Sequence, residues 1–217
     1  PFAFLLDSLQ HNYIPEGEEA HWLFLWKSTR EADPVSSQYP MPPPLLHRTV
    51  TQTWTGPHQF KLCRYTVFSE DRSFQYFTFY EYLSYVFSSY KKDLPDISAL
   101  IRGFHFEDYT DVLLKDLSTG SRKKVFLITA FALKPELLLL DEPTNGLDYE
   151  STEYLYKLIS DYKKFGAVLF SSHILESITL TADRVFVLDG GKIQKKFEKE
   201  QIKAENIREA LRCEHDI

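Results

Sequence analysis

From Arg64 onward, short apolar blocks alternate between strand-like and helix-like spacing, and that alternation predicts an α/β chain. Residues 65–68 read as an apolar strand leading into a polar loop over 69–75. Aromatic and aliphatic residues then recur at helical spacing over 79–90, and 97–106 offers another short helix. Residues 121–133 form an amphipathic run that should end near Lys134-Pro135, because the residue before a proline is driven out of helical geometry. Strands are predicted over 137–140 and 167–170, with a helix over 151–165 between them that Gly166 stops, and a further helix over 174–182. A strand over 184–188, a Gly190-Gly191 hairpin turn and a strand over 192–197 follow. Strands alternating with helices imply a parallel sheet covered on both faces. The mixed Lys, Arg and Glu of 198–217 predict a solvated terminal helix.

The first sixty residues have a different texture. They hold all three tryptophans and eight of the eleven prolines, but only two of the eight glycines, so irregular structure is expected there. The length of 217 residues suits one α/β domain with room for a small inserted subdomain.

Composition narrows the function classes. A net charge of −6 argues against a nucleic-acid binder led by bulk electrostatics. Cys63 and Cys213 lie far apart and outside metal-ligand spacing, which fits a reducing compartment. The apolar run over 125–133 is far shorter than the ~18 to 20 residues of a membrane-spanning helix, so membrane contact is expected through a partner. No secretory leader is expected from Pro1-Phe2-Ala3-Phe4-Leu5-Leu6, which Asp7 follows at once, and with Met41 the sole methionine, position 1 is not expected to be the native start.

The most informative segment is Leu137 to Asp148, LLLLDEPTNGLD. A leucine strand that delivers Asp141 and Glu142 at its end presents two acids where open α/β sheets bind phosphates, and a hard divalent cation such as Mg2+ needs only one or two such carboxylates. Upstream stands Leu117-Ser118-Thr119-Gly120-Ser121, a hydroxyl and a small residue ahead of a helix N-terminus, where free N–H groups favour anions. Downstream, His173 closes the run Val168-Leu169-Phe170-Ser171-Ser172.

In this order the three segments resemble the signature, Walker B, D-loop and switch histidine of ATP-binding cassette (ABC) transporter nucleotide-binding domains. The resemblance covers roughly residues 65–193. It implies a RecA-like P-loop NTPase sheet with an inserted α-helical signature subdomain, ATP and Mg2+ as cofactors, and ATP hydrolysis as the family activity. It also implies roles by position: Asp141 organises the metal, Glu142 activates the attacking water, and His173 contacts the γ-phosphate. Ser118, Thr119 and Gly120 reach the nucleotide of a second subunit, and Asp148 in the D-loop links the two sites. Glu70 stands where the family has a metal-contacting glutamine or glutamate, and the segment 71–82 resembles the region that touches the membrane subunit, although aromatic core packing explains the same residues. Thr119 and Ser121 depart from the glycine and glutamine usual in the family.

The family's phosphate loop belongs some forty residues before Glu70, near positions 20–35, and no GxxxxGK[ST] is present. Lys27-Ser28-Thr29 stands near that place, but the bulky His21-Trp22-Leu23-Phe24-Leu25-Trp26 precedes it where glycines should let the backbone wrap the phosphates, so a chance tripeptide is one reading. Losing two or three charge-assisted hydrogen bonds at about 1.5 to 3 kcal/mol each would lower affinity by roughly two to six decades. A degenerate subunit, an altered phosphate loop and a disrupted upstream coding sequence all account for it.

The expected organisation is an atypical N-terminal part of the nucleotide-binding core over 1–64, a loop and helical signature subdomain over 65–125, the RecA-like core over 126–197 and a helical tail over 198–217. The implied function is an ABC transporter ATP-binding subunit, cytoplasmic and peripheral on the inner face of the membrane. Its partners would be a transmembrane permease subunit and a second ABC ATPase subunit in a homo- or heterodimer, with no nucleic acid. The alternative is a nucleotide-binding-deficient ABC subunit that serves a competent partner.

Overall fold

The computed structural model describes residues 22–26, 62–69, 71–189 and 192–212. Six strands form one sheet: β1 (Trp22–Trp26), β2 (Arg64–Val67), β3 (Leu137–Leu140), β4 (Ala167–Ser171), β5 (Arg184–Asp189) and β6 (Lys192–Glu198). Their order across the sheet is β2-β3-β4-β1-β5-β6. All neighbours are parallel except β5 and β6, which pair antiparallel as the predicted hairpin requires. The turn residues Gly190 and Gly191 lie outside the described residues.

The expectation of irregular structure throughout the first sixty residues is corrected by β1. This strand lies between β4 and β5, in register with both. Proline density marks breaks but not the short apolar block between them, and Trp22 to Trp26 is such a block.

Among the described residues the α-helices are α1 (Phe79–Ser89), α2 (Ser98–Gly103), α3 (Thr119–Leu133), α4 (Tyr149–Asp161), α5 (Leu175–Thr181) and α6 (Ala204–Arg212). A capping box starts α1: Thr78 Oγ1 accepts from the Glu81 backbone N–H while a Glu81 carboxylate oxygen accepts from the Thr78 N–H at 2.7 Å. Its buried face, Phe79, Tyr82, Leu83, Val86 and Phe87, packs toward α3.

Helix α3 differs from the amphipathic helix expected. From Lys123 to Leu133 every residue is buried, because α1, α2 and β2 pack around it. Lys134 ends it in left-handed geometry at φ 48°, ahead of Pro135. Two boundaries move for local reasons. Asp148 caps α4 two residues earlier than expected, and a 3₁₀ turn over Tyr162–Lys164 replaces its last turn. The C-terminal helix is not wholly solvated, since Ile207 and Ala210 on α6 are buried.

Candidate nucleotide-hydrolysis site

Strand β3 is buried at all four leucines because β2 and β4 flank it, and it delivers its next two residues, both half-buried, to the sheet's C-terminal edge. The Asp141 N–H donates to the Val67 carbonyl at 2.8 Å, which prolongs the β2–β3 pairing by one bond before the chain turns. Glu142 then takes φ 46°, a left-handed conformation that a side-chain-bearing residue adopts only when its surroundings enforce it.

The enforcement comes largely from β4. Ser171, the last residue of that strand, is buried, and its Oγ accepts the Glu142 N–H at 2.8 Å while donating to Asp141 Oδ1 at 2.8 Å. One hydroxyl therefore orients both acids. Two residues later, His173 Nδ1 lies 2.8 Å from Glu142 Oε2. With Glu142 ionised, that nitrogen carries a proton; Nε2 is then an acceptor in the neutral ring and a donor in the imidazolium. The turn presenting His173 is fixed by Ser172, whose Oγ accepts the Ile174 N–H at 3.0 Å and meets Ser177 Oγ at 2.7 Å.

The Glu142 side chain is 17% exposed and that of His173 58%, so the pair opens from a semi-enclosed acid to an accessible imidazole. Asp141 Oδ2 and Glu142 Oε1 carry no hydrogen bond among the described residues. The donor set fits Mg2+. Among the described residues no cluster of three or more His, Cys, Asp or Glu could cage a metal, and magnesium uses one or two carboxylates with water and phosphate completing its shell.

Not all predicted residues converge. Ser118 is the N-cap of α3, its Oγ accepting the Ser121 N–H at 3.0 Å and donating to Ser121 Oγ at 2.9 Å. Thr119 is exposed in the first turn, beside a small cleft of about 70 Å³ shared with Phe68, Arg72 and Lys123. Gly120 is buried against the Pro-Thr-Asn-Gly turn, where a Cβ would sit 2.0 Å from the Gly146 carbonyl oxygen. No hydrogen bond joins Ser118, Thr119 or Gly120 to Asp141, Glu142 or His173 among the described residues. Asp148 points back into its own chain: Oδ1 caps α4 by accepting the Ser151 N–H at 2.8 Å, and Oδ2 pairs with Lys124 Nζ at 2.6 Å. Glu70 and Lys27, Ser28 and Thr29 lie outside the described residues. Strand β1, which immediately precedes Lys27, runs parallel to β4, so its C-terminal end leads to the same sheet edge as Asp141 and Ser171.

Ser171, Lys123 and Lys124 escaped the sequence reading. The available signals were a serine ending an apolar strand and two adjacent lysines inside an apolar helix.

Comparison with known proteins gives these residues a family. A model described as "AAA domain, putative AbiEii toxin, Type IV TA system" matches residues 55–178, more than half of the chain. The "Putative ABC transporter ATP-binding protein AlbC" of Bacillus subtilis (strain 168) is 37% identical over 140 residues, covering 63% of this chain and 59% of AlbC. The "Energy-coupling factor transporter ATP-binding protein EcfA" of Methanothermobacter thermautotrophicus is 41% identical over 78 residues, 36% of this chain and 25% of that protein. A solved "Structure of ATP binding subunit of ABC transporter" superposes with a TM-score of 0.61 at 25% identity, covering 72% of this chain and 65% of that one. The chain thus spans less than two thirds of each of these relatives. It belongs to this AAA-domain family, and its relatives in both sequence and fold are the ATP-binding proteins of ABC transporters.

Proposed function

We propose that the chain is the ATP-binding subunit of an ABC transporter, binding Mg-ATP at the edge of β3 and β4 and coupling its hydrolysis to a membrane permease. The observation that carries this reading is the Glu142–His173 contact of 2.8 Å, set beside Asp141 by a shared serine. Asp141 would hold the metal through Oδ2 or its waters, and the bound ion would neutralise charge developing on the phosphates. Glu142 would accept the proton of the attacking water on Oε1, while His173, protonated on both ring nitrogens, keeps Oε2 oriented through Nδ1–H and donates from Nε2–H to the terminal phosphate. Ser118, Thr119 and Gly120 would act on the nucleotide of a second subunit, with Asp148 in the segment between the two sites. For Ser118 this requires its hydroxyl to leave Ser121 Oγ. Lys27, Ser28 and Thr29 would supply what phosphate binding β1 leads into, and Glu70 a further metal contact. The names of the relatives support a transporter role; on this reading the chain works at the cytoplasmic face of a membrane with a permease and a second ATPase subunit.

Phosphate release by the chain assembled with its partners tests the reading. Glu142→Gln keeps the shape and removes the base, so the rate should fall by about 10²- to 10⁴-fold while Mg-ATP still binds. Unchanged turnover would remove Glu142 from its role. The absence of GxxxxGK[ST] from the sequence favours a second reading, a nucleotide-deficient subunit serving a competent partner. Tight Mg-ATP binding by the chain alone excludes it.

A further inference from the structure

We propose that Lys123 is a positioning residue for Glu142, acting on the backbone of its own chain; this rests on Glu142 being the hydrolytic base. Lys123 lies near the start of α3, where a lysine would ordinarily run its stem along the surface and keep its charge in water. Here the residue is 3% exposed, and its Nζ donates to the Glu142 carbonyl oxygen at 2.8 Å. Burying an ammonium is costly unless it is well bonded, so its direction is informative.

The carbonyl it reaches belongs to the left-handed peptide that aims the Glu142 side chain at His173. That residue is fixed from both sides: its N–H and carboxylate by Ser171 and His173 from β4 and the turn after it, its carbonyl by Lys123 and by the Asn145 N–H at 3.2 Å. Lys123 is the tie from α3, the helix whose first turn carries Ser118 to Gly120. Contact of that turn with a nucleotide on the partner subunit would be transmitted through α3 to the base of this subunit. Release of the carbonyl would let the peptide leave φ 46° and swing the carboxylate away from His173.

The test compares the unmodified chain with Lys123→Met and Lys123→Arg. One readout is the imidazole ¹⁵N signal of His173, assigned by its loss in His173→Ala; the other is phosphate release with Mg-ATP in the assembled protein. In Lys123→Met the Nδ1 hydrogen-bond signature should be lost and kcat should fall by about 10- to 100-fold, with KM changed by less than about twofold. Lys123→Arg, which keeps the donor, should restore both. If Lys123→Met does not fold, Lys123→Leu, which also lacks a donor, carries the comparison. An Nδ1 signature and kcat unchanged in the Met or Leu variant, or a loss that arginine does not rescue, overturns the proposal while leaving Glu142's role standing. No hydrolysis by the unmodified assembly overturns the reading of Glu142, and this proposal with it.

Discussion

At the scale of single residues, the candidate site turns on the Ser171 hydroxyl. Its oxygen accepts from the Glu142 N–H and its proton goes to Asp141, so removing it leaves a part-buried N–H without this partner and releases Asp141 Oδ1. An unsatisfied buried donor costs about 1 to 3 kcal/mol. Ser171→Ala should therefore lower the stability of the fold by that amount in urea denaturation, and should slow hydrolysis more than it weakens nucleotide binding. A Ser171→Ala protein with unaltered midpoint and turnover would show that the acids are held by something else. The asymmetry between the two acids is also local. Asp141 keeps ordinary strand pairing through Val67, whereas Glu142 carries the strained backbone, so the conformational restriction falls on the proposed base.

At the scale of elements, α3 meets the turn and N-cap that lead into α4 through two contacts that sequence spacing alone does not reveal. Gly120 lets the first turn of α3 lie against the Gly146 carbonyl, and Lys124 binds both Asp148 and the Phe104 carbonyl, at 2.6 and 2.7 Å. Burial acts to raise the Asp148 carboxyl, but the hydrogen bonds from Lys124 and Ser151 outweigh it and hold the group well below its usual 3.8. The folded value is depressed, so the stabilisation is present above the unfolded value and is lost as pH falls below it. Asp148→Asn isolates the charge, because asparagine caps a helix about as well as aspartate. The side chain is 54% exposed, so solvent screening limits the effect to at most about 1 kcal/mol. The stability gap between parent and variant should be open at about pH 6 and close on approach to about pH 2. A gap that does not vary with pH would mean that Lys124 contributes nothing through this charge.

At the scale of the whole molecule, the sheet order brings together segments that are far apart in the chain. Asp141 and Ser171 are thirty positions apart, yet adjacent parallel strands deliver both to one edge. Much of this was legible in advance. The Leu137–Leu140 strand, the helices flanking it and the β5–β6 hairpin follow from period and turn chemistry, because each is local. The placement of β1 was not legible, since its neighbours β4 and β5 lie more than 140 residues away and the prolines around it point the other way. Nor was the all-round burial of α3, which depends on what packs against it and not on its own pattern. In the site, the acids and the histidine were singled out by the family resemblance, and the fold sets Glu142 and His173 2.8 Å apart. The serine and lysines that orient them were not, because a hydroxyl or an ammonium reveals its partner only when the fold is closed.

On the proposed function, Asp141, Glu142 and His173 surround the terminal phosphate of a bound nucleotide. A crystal structure of the Glu142→Gln protein, with its partner subunit and Mg-ATP, tests that claim most directly. The expected structure has magnesium held by Asp141 directly or through one water, and His173 Nε2–H donating to a γ-phosphate oxygen at about 3 Å. A nucleotide bound elsewhere, with these three side chains contacting only protein, would contradict it.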